Sequence, residues 1–179
     1  MSKKQRHLIN LALTAMLTAV SVVLGRFFSY NVQDFSIGFG FLPIMVCGMI
    51  CGVWWGGICG ALADFIGAML FPFGVYFPGF TATAFLMGTL YGLIGVAERR
   101  LSRPIFKISA TVAIIFTAET LGTWLINSLW LSIMYGAPYP AELLLRLPQA
   151  ALYFAVKTAA AIIISRFILS PIQKSFKRG

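Results

Sequence analysis

Charged residues are scarce in this sequence, and that scarcity excludes a soluble fold. Only 11% of its 179 residues are charged, whereas 59% are hydrophobic, and the mean hydropathy is +0.88. A soluble domain is about half apolar and about a quarter charged. Several apolar runs reach the roughly 20 residues that a helix needs to cross a bilayer. We therefore expect an all-α membrane protein that forms a single integral membrane domain over residues 1–179.

Acidic residues and histidine are scarcer still, which argues against an intramembrane enzyme. The single histidine, His7, lies beside the basic N-terminal segment rather than at membrane depth. The sequence has no HExxH motif, and its five acidic residues are too scattered to form a carboxylate cluster for a metal ion. A Walker A motif is also missing. We predict no catalytic residue, no metal site and no bound cofactor, and we interpret the three cysteines as buried thiols.

The basic residues are concentrated in three places: before the first apolar run, in the connector before the fifth, and at the C-terminal end. They include Lys3, Lys4, Arg6, Arg99, Arg100, Arg103, Lys107, Arg166, Lys174, Lys177 and Arg178. This placement is typical of the positive-inside rule and predicts that both termini are cytoplasmic. It leaves no soluble basic face, so we expect no nucleic-acid partner.

Six apolar runs predict six transmembrane helices. Their expected ranges are 8–28, 39–53, 55–70, 81–97, 108–135 and 147–169, the last with an alternative start after Pro140. We place the tight turn between the second and third runs at Gly56 and Gly57. The first run is too long for a typical signal peptide, and we expect it to remain as an uncleaved helix.

Small residues recur four apart on the predicted helices, a spacing that lets helices approach closely in lipid. Ala12, Ala15 and Ala19 share one face of the first helix, where either internal packing or docking to another membrane protein explains them. For the glycines at this spacing we expect internal packing: Gly48, Gly52, Gly56, Gly60, Gly88 and Gly92.

Ionisable residues inside a membrane are costly and normally face a partner or a wet cavity. Asp64 and Lys157 both fall near mid-depth, and we expect them to pair with each other, a role in transport being the alternative. On the fifth run, one face is predicted to carry a polar and aromatic stripe that lines a cavity or, alternatively, forms a hydrogen-bonded helix seam. That stripe consists of Glu119, Thr123, Asn127 and Trp130.

The outer connectors hold two arginines and one aromatic loop. Arg26, four residues before Tyr30, and Arg146, in the LLRLPQ stretch that ends at Gln149, depart from the positive-inside pattern. Snorkelling explains each arginine alone, whereas convergence of the two predicts capture of an anion. The stretch FPFGVYFPGFT (71–81) is rich in proline, glycine and aromatic residues, and we interpret it as a lid over a cavity or, alternatively, as a structural plug.

Taken together, these features resemble the vitamin-binding S components of energy-coupling factor (ECF) transporters. The resemblance rests on six spans in about 180 residues, the Ala15-x-x-x-Ala19 face and the long outer loop after the third span. Within that group the chain looks most similar to the folate-specific members. Three stretches carry this similarity: FGFLPIMVCGMICG (39–52), GALADFIGAMLFPFGVYFPGFTATA (60–84) and LLRLPQ (144–149).

The resemblance implies a substrate-binding subunit in a bacterial cell membrane. It implies that the chain takes up folate from outside, that the alanine face docks on a transmembrane T component, and that two cytoplasmic ATPases use the ATP. Folate has a flat pterin, an aromatic linker and a tail with two carboxylates. We therefore expect rings from the loop to cover the ligand (Tyr76, Phe77 and Phe80), both outer arginines to meet the tail, and Glu119 to bind the pterin, with the opposite direction of the ligand as the alternative. Asn127 suits either end. The other expected binding residues are Tyr30, Thr123, Trp130 and Gln149.

Two alternatives remain open at this point. An S component for another small vitamin, such as pantothenate or thiamin, would have the same architecture. A stand-alone proton-coupled carrier would use Glu119 or Asp64.

Overall fold

The computed structural model describes residues 2–32, 35–72 and 75–169, with the backbone alone described at 29–32, 35–37, 168 and 169. Within these ranges the chain is helical apart from one β-hairpin, formed by β1 (Ser29–Val32) and β2 (Phe35–Gly38). The α-helices are α1 (Lys3–Phe27), α2 (Phe41–Cys51), α3 (Val53–Leu70), α4 (Pro78–Arg100), α5 (Pro104–Ala118), α6 (Asn127–Tyr135) and α7 (Tyr139–Ile164). Two π-helical segments extend them, Glu119–Ile126 between α5 and α6 and Ser165–Leu169 after α7.

The predicted set of six membrane helices is confirmed in the described part of the chain. The helices α5 and α6 run through the intervening π-helical segment as one 32-residue span, Pro104–Tyr135. Five spans are long and apolar enough to cross a bilayer, and the sixth, α2, is shorter at 11 residues. The cytoplasmic location of the termini stays a prediction.

The tight turn between α2 and α3 lies at Gly52, so its predicted position at Gly56 and Gly57 was wrong. Gly52 has a φ of 110°, a backbone conformation that side chains with a Cβ disfavour. Gly56 and Gly57 lie inside α3, where their lack of a side chain allows close packing against α4. A Cβ at Gly56 would collide with the carbonyl oxygen of Gly88 on α4.

The glycines of α2, α3 and α4 form a close helix contact, as predicted. A Cβ at Gly48 would lie 2.8 Å from the backbone nitrogen of Gly92, and one at Gly88 would overlap the carbonyl oxygen of Gly56. Such near backbone-to-backbone contact is available only to residues without a side chain. The hairpin of α2 and α3 is therefore fixed against α4, and one wall of the bundle is rigid.

The hydrophobic core lies beside this seam, among α2, α4, α5 and α7. Its buried members include Met45, Met49, Tyr91, Ile94 and Ile115. The β-hairpin was not predicted, and it connects to the bundle through Gly38, whose N–H donates a 3.0 Å hydrogen bond to the Tyr153 hydroxyl. The start of α2 and the end of α1 are thereby held near the middle of α7.

One face of α1 packs inward and the other is exposed. Thr14 and Thr18 are buried and make hydrogen bonds to the thiols of Cys47 and Cys59, at 3.5 and 3.4 Å. The three alanines of the predicted docking face are all exposed: Ala12, Ala15 and Ala19. Packing within the described part of this chain therefore does not account for their small size.

Candidate functional site

Two cavities inside the bundle share Tyr153 and Lys157 as lining residues, and we call this shared wall the junction. The first, which we call the central cavity, has a volume of about 330 Å³ and lies among α1, α2, α3, α4 and α7. Besides the two shared residues, its lining includes Ser21, Arg26, Phe41 and Asp64. A cavity of this size falls in the range of small-molecule sites.

The second cavity, which we call the α6–α7 cavity, has a volume of about 480 Å³ and is lined mainly by polar residues. Four of the predicted site residues line it: Thr123, Asn127, Arg146 and Gln149. The side-chain oxygen Oδ1 of Asn127 is buried without a hydrogen-bond partner in the described part of the chain. An unpaired buried acceptor is costly, so a ligand donor that reaches Asn127 would relieve that cost.

The Lys157 ammonium stands at the junction of the two cavities, held by Glu119. Its Nζ donates a 2.7 Å hydrogen bond to Oε1 of Glu119, and the two side chains are 7% and 3% exposed. The same nitrogen lies 4.6 Å from the ring centroid of Tyr153 and 5.3 Å from that of Phe41. A buried charge pair with two aromatic rings fixes a cation in the wall that both cavities share.

Lys157 thus pairs with Glu119, and the predicted pairing of Asp64 with Lys157 was wrong. The pairing was predicted from expected membrane depth, and depth does not specify which way a side chain points around its helix. Asp64 instead accepts a 2.7 Å hydrogen bond from the Thr81 hydroxyl, which lies 3.0 Å from the hydroxyl of Tyr76. This chain of contacts ties the loop after α3 to the bundle.

The π-helical segment Glu119–Ile126 divides the predicted polar stripe. Its hydrogen bonds join residues five apart, so the regular α-helical spacing assumed for the stripe does not hold through it. Glu119 points to Lys157, Thr123 and Asn127 line the α6–α7 cavity, and Trp130 turns toward α4. The Trp130 indole donates a 3.0 Å hydrogen bond to Thr83 and does not line a described cavity.

Described residues of the aromatic loop line a third, smaller cavity of about 130 Å³, which we call the loop cavity. Its lining includes the three predicted lid residues Tyr76, Phe77 and Phe80 together with Arg26 and Asp64. Because Arg26 and Asp64 also line the central cavity, the two adjoin. The loop is shorter than predicted, since α4 begins at Pro78.

The two outer arginines do not converge in one described cavity. Arg26 lines the central and loop cavities, and Asp64 lines the same two cavities. Arg146 lines the α6–α7 cavity, and its Nε is 3.8 Å from a carboxylate oxygen of Glu142 on the same helix. The Tyr30 side chain, also predicted at the site, lies outside the described residues.

Sequence reasoning missed one central residue and misjudged another. Tyr153 lines two cavities, yet in the sequence it is one tyrosine in an apolar helix. Lys157 carried a clear signal, as a lysine in the middle of a membrane span, but it was assigned the wrong partner. Both face inward together because they are four apart on α7.

Comparisons with known proteins agree with this architecture. The model of the family described as "ECF transporter, substrate-specific component" matches residues 10–172. The folate transporter FolT of Clostridium novyi (strain NT) is 34% identical over 142 residues, which are 79% of each chain. FolT of Leuconostoc mesenteroides subsp. mesenteroides is 29% identical over 123 residues, 69% of this chain and 63% of that one. A crystal structure of FolT bound with folic acid matches with a TM-score of 0.75 and 34% identity, covering 87% of this chain and 92% of the other.

Proposed function

Because the chain belongs to the family of substrate-specific components of ECF transporters, we propose that it is the folate-binding subunit of an ATP-driven vitamin importer. It is a multi-pass protein of the cell membrane. The observation that carries the proposal is the pair of cavities that share Tyr153 and Lys157, in a chain similar to a FolT solved with folic acid.

The cavities suit the three parts of folate. Asn127 and Gln149 offer amide groups, which match the hydrogen-bonding edge of a pterin. The rings of Phe41 and Tyr153 stand beside the Lys157 ammonium at the junction, where a flat aromatic ring system would pass. Arg26 lies at the far side of the central cavity, next to the loop, and its guanidinium matches a carboxylate.

We place the pterin in the α6–α7 cavity and the glutamate tail toward Arg26. The separation of Arg26 from Arg146 means that one arginine meets the tail carboxylates rather than both. Arg146 forms an ion pair with Glu142, and in this placement it would line the part of the cavity that holds the pterin. Tyr76, Phe77 and Phe80 cover the tail end from the loop side.

Glu119 acts in this proposal by fixing Lys157. Its Oε1 accepts the lysine hydrogen bond, and its Oε2 has no hydrogen-bond partner in the described part of the chain. Glu119 does not line the described cavities. The residue that faces the ligand is therefore Lys157, while Glu119 holds its side chain in place.

Transport requires partners that supply energy. We expect a transmembrane T component and two cytoplasmic ATPases, since the family is that of ECF transporters and the sequence has no Walker A motif of its own. The exposed alanine face of α1 suits close helix docking to the T component: Ala12, Ala15 and Ala19.

Equilibrium binding of tritiated folate to the purified chain, without ATP, tests the proposal. We expect saturable binding at one site per chain that unlabelled folate displaces and that pantothenate and thiamin do not. Displacement by pantothenate or thiamin at lower concentration than by folate would assign the chain to another vitamin. Uptake of folate into liposomes by this chain alone would instead identify a stand-alone carrier.

A further inference from the structure

A polar pocket lies at the opposite end of the bundle from the three cavities. It has a volume of about 200 Å³ and lies where α4 ends, α5 begins and α7 passes into its π-helical extension. Its polar lining consists of Glu98, Ser102, Lys107, Thr111, Ser165 and Arg166. None of these residues has a part in the proposed folate site.

The charged side chains that line this pocket have a net charge of one positive unit. Both carboxylate oxygens of Glu98 are engaged, Oε1 by a 2.5 Å hydrogen bond from the Ser165 hydroxyl and Oε2 by Lys107 Nζ at 3.3 Å. Arg166 also lines the pocket and forms no ion pair among the described residues. With Glu98 balanced by Lys107, the guanidinium of Arg166 suits a ligand group with a single negative charge.

The Thr111 hydroxyl supplies an independent sign of a ligand. It is 1% exposed, lines the pocket and has no hydrogen-bond partner in the part of the chain that the structure describes. Two other hydroxyl residues of α5, Ser109 and Thr117, each donate to the carbonyl four residues earlier. Thr111 makes no such bond, so its hydroxyl is left for an acceptor in the pocket.

The surface beside the pocket is apolar and exposed. On α5 the flanking residues are Ile105 and Phe106, which are 68% and 52% exposed. At the end of α7 and in its π-helical extension they are Ile163 and Phe167, which are 56% and 76% exposed. A small soluble anion would make no contact with this apolar surface. A phospholipid would contact both parts, because its acyl chains cover apolar helix faces while its phosphate enters the polar pocket.

We propose that this pocket binds the phosphate of an anionic phospholipid. Arg166 and Lys107 face the phosphate, the Thr111 hydroxyl donates to one of its oxygens, and the acyl chains lie along α5 and the end of α7. Basic pockets between membrane helices on the cytoplasmic side are suited to such headgroups. The positive-inside rule predicts that this end of the bundle, with its basic residues, lies on that side.

Native mass spectrometry of the purified chain, titrated with phosphatidylglycerol and with phosphatidylcholine as the reference lipid, tests the proposal. We expect preference for phosphatidylglycerol and about a fivefold weaker affinity in Arg166→Ala, the loss typical of one cationic side chain at a headgroup. Thr111→Val, which keeps the shape and removes the hydroxyl, should also bind more weakly. Arg100→Ala is the matched control, because Arg100 is exposed at the same end and does not line the pocket.

Folate binding, measured in the same samples, verifies that each variant is folded. Equal phosphatidylglycerol affinity in Arg166→Ala, Arg100→Ala and the unmodified chain would overturn the proposal. Displacement of the lipid by millimolar inorganic phosphate or glycerol phosphate would do so too, since the pocket would then take a free phosphate rather than a lipid.

Discussion

Lys157 on α7 donates a 2.7 Å hydrogen bond to Glu119 in the π-helical segment, and both side chains are buried. This pair joins the last two spans of the bundle at the junction of the central and α6–α7 cavities. It is a structural link and, in our proposal, the device that presents a cation to the ligand.

Removal of one member of this pair should destabilise the protein strongly. Lys157→Met leaves the Glu119 carboxylate buried without its partner, which costs about 3–5 kcal/mol. Thermal unfolding in detergent measures the loss. The double variant Glu119→Gln with Lys157→Met removes both charges and should recover a large part of it. Equal stability of the single and double variants would contradict a coupled pair.

The glycine seam should not tolerate even one methyl group. In Gly88→Ala the new Cβ meets the backbone of Gly56, which cannot move aside, and we expect a loss of about 1–3 kcal/mol. Gly25→Ala is the control, because its Cβ would lie 3.6 Å from the nearest neighbouring atom, the Gly40 Cα, which is an ordinary contact. Unchanged thermal unfolding of Gly88→Ala would show that α3 and α4 are not held this closely.

The proposed direction of the ligand predicts a split between folate and pteroate, which lacks the glutamate tail. Arg26→Ala should weaken folate binding by at least tenfold and leave pteroate binding nearly unchanged, because charge-assisted bonds to a carboxylate are worth about 1.5–3 kcal/mol. Asn127→Ala should weaken both ligands alike. If Arg146→Ala instead weakened folate binding and left pteroate binding unchanged, the ligand would lie in the opposite direction.

The exposed alanine face predicts a defect in transport without one in binding. Ala15→Trp places a large side chain where another helix is proposed to dock, and we expect folate binding to persist while the T component no longer co-purifies. Val20→Trp adds the same side chain to another exposed part of α1 and serves as control. Co-purification of the T component with Ala15→Trp as readily as with Val20→Trp would exclude this docking face.

The sequence was sufficient for the helices because their signal is local. Runs of apolar residues specified six spans, and the glycine spacing specified close packing of α2 and α3 on α4. The β-hairpin escaped prediction because each strand has only four residues. Gly52 was overlooked as the turn because Gly56 and Gly57 carry the same composition signal.

The site was less predictable because it depends on the direction in which side chains point. The four residues of the proposed stripe were placed on one face by assuming a regular α-helix, and the π-helical segment breaks that assumption. Thr123 and Asn127 remain at the cavity, whereas Trp130 does not line it. The partner of Lys157 likewise depends on how two neighbouring spans are rotated about their own axes.

The position of folate in a structure of the chain loaded with it tests the central claim most directly. Our account predicts the pterin beside Asn127 and Gln149, the aromatic linker next to Tyr153 and Lys157, and the tail at Arg26. Folate found outside the helical bundle, or a solid junction at Tyr153 and Lys157 with no ligand between the two cavities, would contradict it.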